Sequence, residues 1–361
     1  MTAEMTGADV KERAAAQADQ VSAEKHRHKN IPVFIPHLGC PNNCVFCNQR
    51  TISGRQFFDE RSVEDQIRTA ASTLGPDDTA EIAFFGGSFT GIDRGLMIRL
   101  LETAHRFLSE PGSRIGSVRC STRPDYIDPE IIGILKRFGV ETVELGIQSM
   151  SDRVLAASKR GHTAADTERA CELITGAGMR LGGQMMVGLP LSAPADERET
   201  AEAICRMGAS EARIYPTVVF RGTELCSMTE TGSYSPISIE ESVSRTADLL
   251  EIFDRHGVRV IRTGLCASES LAAPGEIVAG GYHPAIGEMA MSEVFRRRID
   301  AAMPAYLRGA PEVTVEVSPG SLSKAVGQRR ANIAYLSEKY AVDRVKILEK
   351  NTLIGYNILI H

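Results

Sequence analysis

The chain has 361 residues, 43% hydrophobic and 24% charged, with 41 Lys and Arg against 46 Asp and Glu for a formal net charge of −5. These proportions exclude collagen-like, coiled-coil and wholly disordered chains. The mild acidity excludes a strongly basic protein but not local basic patches that could meet nucleic acid.

Residues 1–30 are rich in Ala, Glu, Lys and Gln and have no strand pattern, which predicts a flexible N-terminal tail. The tail has no apolar signal-peptide core, and no apolar run approaches the roughly 20 residues of a membrane span. A cytoplasmic protein is expected, with no membrane partner.

From Ile31 onward, short apolar runs alternate with amphipathic stretches. Strands are expected at 31–38, 81–85, 117–121, 142–147, 181–187, 213–220 and 258–262. Helices are expected near 62–74, 93–109, 128–138, 163–177, 195–207 and 238–256. Asp128-Pro129-Glu130 reads as a cap followed by Pro at the first helical position, and Gly139 as that helix's stop. Strand, helix, strand repeated six times implies right-handed βαβ units and a parallel sheet. No Gly-rich dinucleotide fingerprint follows the first strand, which favours a partial (β/α)6 TIM-like barrel over a doubly wound sheet. A helical segment, 284–302, closes this 31–310 region, and Arg296-Arg297-Arg298 within it reads as an exposed helix face. Residues 311–361 read as a small α+β module, with strands at 313–317, 345–349 and 353–360 and helices at 322–326 and 331–340.

The eight cysteines divide unequally. Cys120, Cys171, Cys205, Cys226 and Cys266 are scattered, and buried thiols are their expected state. Cys40, Cys44 and Cys47 follow the first strand with C-x3-C-x2-C spacing. In a reducing compartment such clusters bind metal or carry redox chemistry. His37 could complete a Cys3His zinc site. Three thiolates with no fourth at the usual spacing also suit a [4Fe–4S] cluster that leaves one iron open to a small molecule.

This spacing, with Phe46 as the aromatic before the third cysteine, resembles the radical S-adenosylmethionine superfamily. The resemblance implies an α/β fold of the radical SAM type and a [4Fe–4S] cluster on Cys40, Cys44 and Cys47. It also implies S-adenosylmethionine chelating the open iron, with Phe46 beside its adenine. One electron from a donor such as flavodoxin or ferredoxin would cleave the cofactor, and the resulting 5′-deoxyadenosyl radical would abstract hydrogen from a substrate. The turn Phe85-Gly86-Gly87-Ser88 matches the family's Gly-Gly motif, implying that Gly86, Gly87 and Ser88 approach the methionine end of the cofactor. Ser121, Gln148, Arg160 and Gln184 would face its ribose or carboxylate, and Arg160 suits a carboxylate because its planar fork binds bidentately.

Further along, Ser121-Thr122-Arg123-Pro124-Asp125-Tyr126, Val143-Glu144-Leu145-Gly146-Ile147-Gln148-Ser149, Lys159-Arg160-Gly161-His162 and Gly188-Leu189-Pro190 form an ordered series. So does Arg213-Ile214-Tyr215-Pro216-Thr217. The series resembles the radical domain of the Elongator catalytic subunit, a tRNA-modifying enzyme, although the length leaves no room for that subunit's acetyl-coenzyme A domain. Oxygen-independent coproporphyrinogen oxidase shares the glutamine and Gly-Leu-Pro motifs. In the last module, Leu322 to Ile333 resembles a KH domain with a degenerate G-x-x-G loop: Gly327 matches the first glycine and Arg330 replaces the second. Lys324, Arg329 and Arg330 would bind RNA phosphates there. Three functions are therefore weighed: RNA-base modification, radical chemistry on a small molecule such as a porphyrinogen, and a non-catalytic iron–sulfur or haem-handling RNA-binding protein. Cys266 is a candidate hydrogen-atom donor near the barrel mouth.

Overall fold

The computed structural model describes residues 28–35, 38–40, 44–48, 58–265, 271 and 273–361. Most of the expected tail, His37 and Cys266 lie outside them. Seven parallel strands form one sheet in the order β1-β2-β3-β4-β5-β6-β8, an incomplete barrel whose edge strands β1 and β8 do not meet. They are β1 (His28–Ile35), β2 (Thr79–Gly86), β3 (Ile115–Thr122), β4 (Val140–Gln148), β5 (Arg180–Val187), β6 (Glu211–Pro216) and β8 (Arg259–Thr263). β1 starts at His28, so the last three residues of the expected tail belong to the sheet.

Six crossovers join these strands through α1 (Val63–Ser72), α2 (Arg94–Ser109), α3 (Pro129–Arg137), α5 (Ala164–Gly176), α6 (Pro194–Arg206) and α8 (Ile239–His256). The local reasons are those the sequence offers. Asp128 Oδ1 accepts from Ile131 N at 2.8 Å ahead of Pro129, and Thr163 and Asp166 close a capping box on α5. Two short helices carry no strong periodic signal and were not expected: α4 (Asp152–Ala157) and α7 (Glu224–Glu230).

The strands present alternate residues to the two faces. Ile82, Phe84, Val118, Cys120, Val143, Leu145, Ile147 and Ile214 pack with helical residues such as Met97, Leu101, Leu135 and Phe253 in one continuous core. The opposite, inner face carries Glu81, Arg119, Glu144, Gln184 and Arg213.

The strand expected over 213–220 is two strands. The chain leaves the sheet at Thr217, whose N and Oγ1 both donate to Val187 O at 2.8 and 2.7 Å. It then forms β7 (Val218–Phe220), antiparallel to β9 (Ile277–Gly280).

The C-terminal elements are β10 (Glu312–Val317), α10 (Leu322–Val326), α11 (Ala331–Tyr340), β11 (Arg344–Glu349) and β12 (Ile358–Ile360). β10 lies between a parallel β11 and an antiparallel β12. β12 is shorter than the eight-residue strand expected, its first half being a turn through 351–356.

Helix α9 (Ile286–Ala302) joins the two regions: Ala290 and Val294 enter the barrel core, while Phe295 and Ile299 enter the second core with Val313, Val315 and Leu336. This placement corrects the reading of the arginine run. Arg296 and Arg297 pair with Glu293, Arg297 also with Asp248, and Arg298 with Glu251 and Asp254. These guanidiniums clamp α9, chiefly against α8, instead of forming an open basic face. No helix among the described residues is long and apolar enough to cross a membrane.

Candidate functional site

Strands of a parallel barrel deliver their functional groups at their carboxyl ends, and the cysteine loop lies there, beside the end of β2. Two backbone bonds clamp it: Gly87 N donates to Ile35 O at 2.7 Å and Ser88 N to Leu38 O at 3.0 Å. A Cβ on Gly87 would stand 1.9 Å from Leu38 O, and one on Gly39 2.1 Å from Ser88 O. The Gly-Gly turn thus admits the cysteine loop's own backbone, a demand that the resemblance alone did not convey. The far side of the loop is tied down by Val45 N to Ser158 O at 3.3 Å and Leu225 N to Val45 O at 2.8 Å. Phe46 packs with Val45, Val219, Leu225 and Tyr234.

Two guanidiniums flank the thiols. Arg160, buried, donates from Nη1 to Cys44 Sγ at 3.2 Å and from Nη2 to Gly146 O at 2.7 Å, linking the loop to the end of β4. Arg123, also buried, is held in a fork by Asp125 at 2.9 and 2.8 Å. Burial and the neighbouring Cys44 push the Cys40 thiol up, while Arg160, Arg123 and a backbone hydrogen bond at Ser88 pull it back toward the thiolate.

Gln148 sits beside Arg160: a Cβ on Gly146 would lie 3.1 Å from Gln148 Nε2 and 3.2 Å from Arg160 Nη2. Its backbone is left-handed, with φ of 65°, and its buried Oε1 has no hydrogen-bond partner. Backbone strain and an orphaned buried acceptor thus coincide at one residue, an arrangement with room for a ligand's donor.

The remaining expected residues are Ser88, Ser121, Gln184, Lys324, Arg329 and Arg330. Ser88 Oγ is engaged with Thr122 Oγ1 at 2.8 Å and accepts from Arg123 N at 3.2 Å, so it braces the turn. Gln184 Nε2 donates to Ser121 Oγ at 3.2 Å and to Glu144 Oε2 at 2.8 Å, placing this pair on the inner wall. Lys324, Arg329 and Arg330 lie in the C-terminal module. Arg329 and Arg330 are consecutive left-handed residues, exposed and without an ion pair among the described residues. Lys324 Nζ reaches Gly320 O at 3.3 Å.

Arg123, Asp125, His162, Glu144 and Arg213 belong to the site and its wall, yet sequence reasoning gave them no role. They stood inside the quoted motifs, and that was their only signal. Burial, then Arg160 and Arg123, depress His162 to about 4, so it is neutral near pH 7. Its Nε2 lies 3.3 Å from Ile147 O, and its buried Nδ1 is unpartnered. Of the scattered cysteines, burial lifts Cys120 and Cys171 to about 12 and Cys205 to about 11, as inert thiols require.

The three cysteines, with buried guanidiniums beside Cys40 and Cys44, form a donor set that fits an iron–sulfur cluster. A [4Fe–4S] cluster takes each thiolate on a different iron, so its ligands stand around it rather than meeting at a point. Flanking guanidiniums favour thiolates, and Gln148 Oε1 remains for a further ligand.

The Radical SAM superfamily model matches residues 34–204, and the Radical_SAM C-terminal domain model matches residues 209–296. A tRNA uridine(34) acetyltransferase of Methanocaldococcus jannaschii is 28% identical over 186 residues, 46% of this chain and 34% of that protein. That of Methanocaldococcus infernus is 29% identical over 252 residues, 59% of this chain and 47% of the relative. The chain therefore spans half or less of these relatives' length. An uncharacterized protein of M. jannaschii, MJ0486, is 28% identical over 240 residues, 63% of this chain and 72% of that protein. Among solved structures, the archaeal M. infernus Elp3 with an N-terminal deletion shares the fold at a TM-score of 0.61 and 22% identity, covering 75% of this chain and 63% of that one.

Proposed function

The chain belongs to the radical SAM superfamily, and from that premise we propose that it is an S-adenosylmethionine-dependent iron–sulfur enzyme whose substrate is a base in RNA. The observation that carries the proposal is the convergence of Cys44, Arg160, Gly146 and Gln148 at the carboxyl ends of β1 and β4.

Cys40, Cys44 and Cys47 would hold the cluster. Gly86 and Gly87 hold the cysteine loop against β2, and Ser88 fixes the turn behind them. Gln148 offers its free Oε1, Phe46 a partly buried aromatic surface, and Ser121 and Gln184 a polar inner wall. When bound, the cluster and S-adenosylmethionine supply reductive cleavage of the sulfonium and abstraction of a substrate hydrogen. The protein's part is to exclude water and fix geometry. The clamp on the loop and the ionic wall Arg119–Glu144–Arg213 serve the second.

RNA as substrate is supported by the exposed Arg329 and Arg330 beside Lys324 and by relatives named for tRNA uridine modification. Such charges attract phosphates in a salt-dependent manner. The likeness covers half or less of those relatives, so acetyl transfer is not carried over.

The test is anaerobic reconstitution followed by reduction with S-adenosylmethionine. About four irons per chain and release of 5′-deoxyadenosine are expected, both lost in Cys44→Ala. Turnover with cellular RNA and nucleoside mass spectrometry, with the same variant as control, identifies the base. Retention of cofactor cleavage by Cys44→Ala, or no RNA binding at low salt, would overturn the respective half of the proposal.

A further inference from the structure

We infer that Arg160 tunes the cluster electronically, donating an N–H···S bond to the Cys44 ligand, and is not solely a carboxylate partner for the cofactor. The inference rests on the iron–sulfur reading above. Its own basis is geometric: Nη1 stands 3.2 Å from Cys44 Sγ while Nη2 is fixed on Gly146 O at 2.7 Å. The planar fork cannot turn from the sulfur without giving up the β4 carbonyl, so the donor is held in place. The side chain is buried, which weakens water as a competing screen.

Arg123 also lies near Cys40 and Cys44, but Asp125 takes two of its donor nitrogens and neutralises its charge locally. Arg160, by contrast, donates a hydrogen bond directly to a cluster ligand. Hydrogen bonds and positive charge at ligand sulfur stabilise the reduced cluster, which carries one more negative charge, and so raise its reduction potential. A cluster set higher accepts an electron from a weaker reductant. Arg160 thereby bears on which class of low-potential protein can serve as donor.

The experiment is an EPR-monitored redox titration of the anaerobically reconstituted full chain. Wild type is compared with Arg160→Lys, Arg160→Gln and Arg153→Gln, the last an exposed arginine bound to Asp196 as a control. Iron content and circular dichroism accompany each titration. Arg160→Gln should load the cluster and shift its midpoint to more negative values, with altered g-values of the reduced state. Arg160→Lys should fall between, since it keeps the charge and loses the fork, and Arg153→Gln should match wild type.

Equal midpoints in all loaded variants would overturn the inference and leave the iron–sulfur reading standing. A folded Arg160→Lys that holds no cluster would also overturn it, by making Arg160 a scaffold rather than a tuning group. A wild-type chain that takes up no cluster would remove both.

Discussion

Arg213 grips Glu144 through two nearly parallel bonds, Nε at 2.6 Å and Nη2 at 2.8 Å, while Arg119 Nη1 reaches the same carboxylate at 2.7 Å. Glu144 is thereby held well below the ordinary carboxylate range in spite of its burial. Arg119 extends the chain of charges to Glu81 and Glu211 at 2.6 and 3.0 Å. A buried pair contributes little over an apolar one, but removing one partner strands the others. Glu144→Ala should cost about 3–5 kcal/mol in urea unfolding, and Glu144→Gln less, because its amide oxygen still accepts one bond.

The glycine clamp predicts a split between two apparently similar substitutions. Gly87→Ala puts a methyl 1.9 Å from Leu38 O and must open the clamp, so iron uptake should fall several-fold. Gly133→Ala, on an open face of α3 with nothing within 4 Å, should stabilise the protein by about 0.5–1 kcal/mol. Iron assay and thermal unfolding of the two variants check the contrast.

His162 predicts a pH dependence. Its folded pKa lies near 4 against 6.5 for the free side chain, so between these values the unfolded chain binds a proton that the folded chain refuses. Stability from this residue is complete above pH 6.5 and is lost as pH falls toward 4, by up to about 3 kcal/mol at 1.36 kcal/mol per unit. The depressed carboxylates Glu81 and Glu144 act lower, losing their contribution only below their ordinary range near 4.5. Urea unfolding at pH 7, 6 and 5 should show the decline, and His162→Asn should flatten it.

Arg329 and Arg330 make no ion pair among the described residues, so replacing both with alanine should leave thermal stability within about 0.5 kcal/mol. RNA affinity should drop, and the slope of log K against log salt should shrink by about 1.4 if each arginine meets one phosphate of a single strand. Fluorescence anisotropy across a salt series measures both.

Much of the architecture was written in local patterns. All seven sheet strands and their six connecting helices follow from alternation and caps such as Asp128-Pro129, because each element announces itself within ten to twenty residues. The split at Thr217 was hidden, since its cause is a carbonyl thirty residues away on β5. The Arg296-Arg297-Arg298 run misled for a similar reason: its partners Asp248, Glu251 and Asp254 are on another helix. At the site, the cysteine spacing and Gly-Gly turn were legible as motifs. The Arg160–Cys44 contact spans 116 residues and the Arg213–Glu144 fork 69, distances at which no periodicity speaks.

Helix α9 gives the molecule its keel. Its first residue, Ile286, underlies Gly264 just beyond β8, where a Cβ would stand 2.2 Å from Ile286 Cγ2. Further along, Ser292 receives Asn332 Nδ2 on both its carbonyl and its hydroxyl at 3.0 Å. Phe295 and Ile299, each without measurable exposure, complete the second core. Cutting the chain after residue 310 would lay these two side chains bare on a helix whose other turns are sewn into the barrel. The barrel is thus not a separable piece: its outer wall is finished by the C-terminal sheet, and a truncated protein would carry a sticky flank where the intact one has an interior.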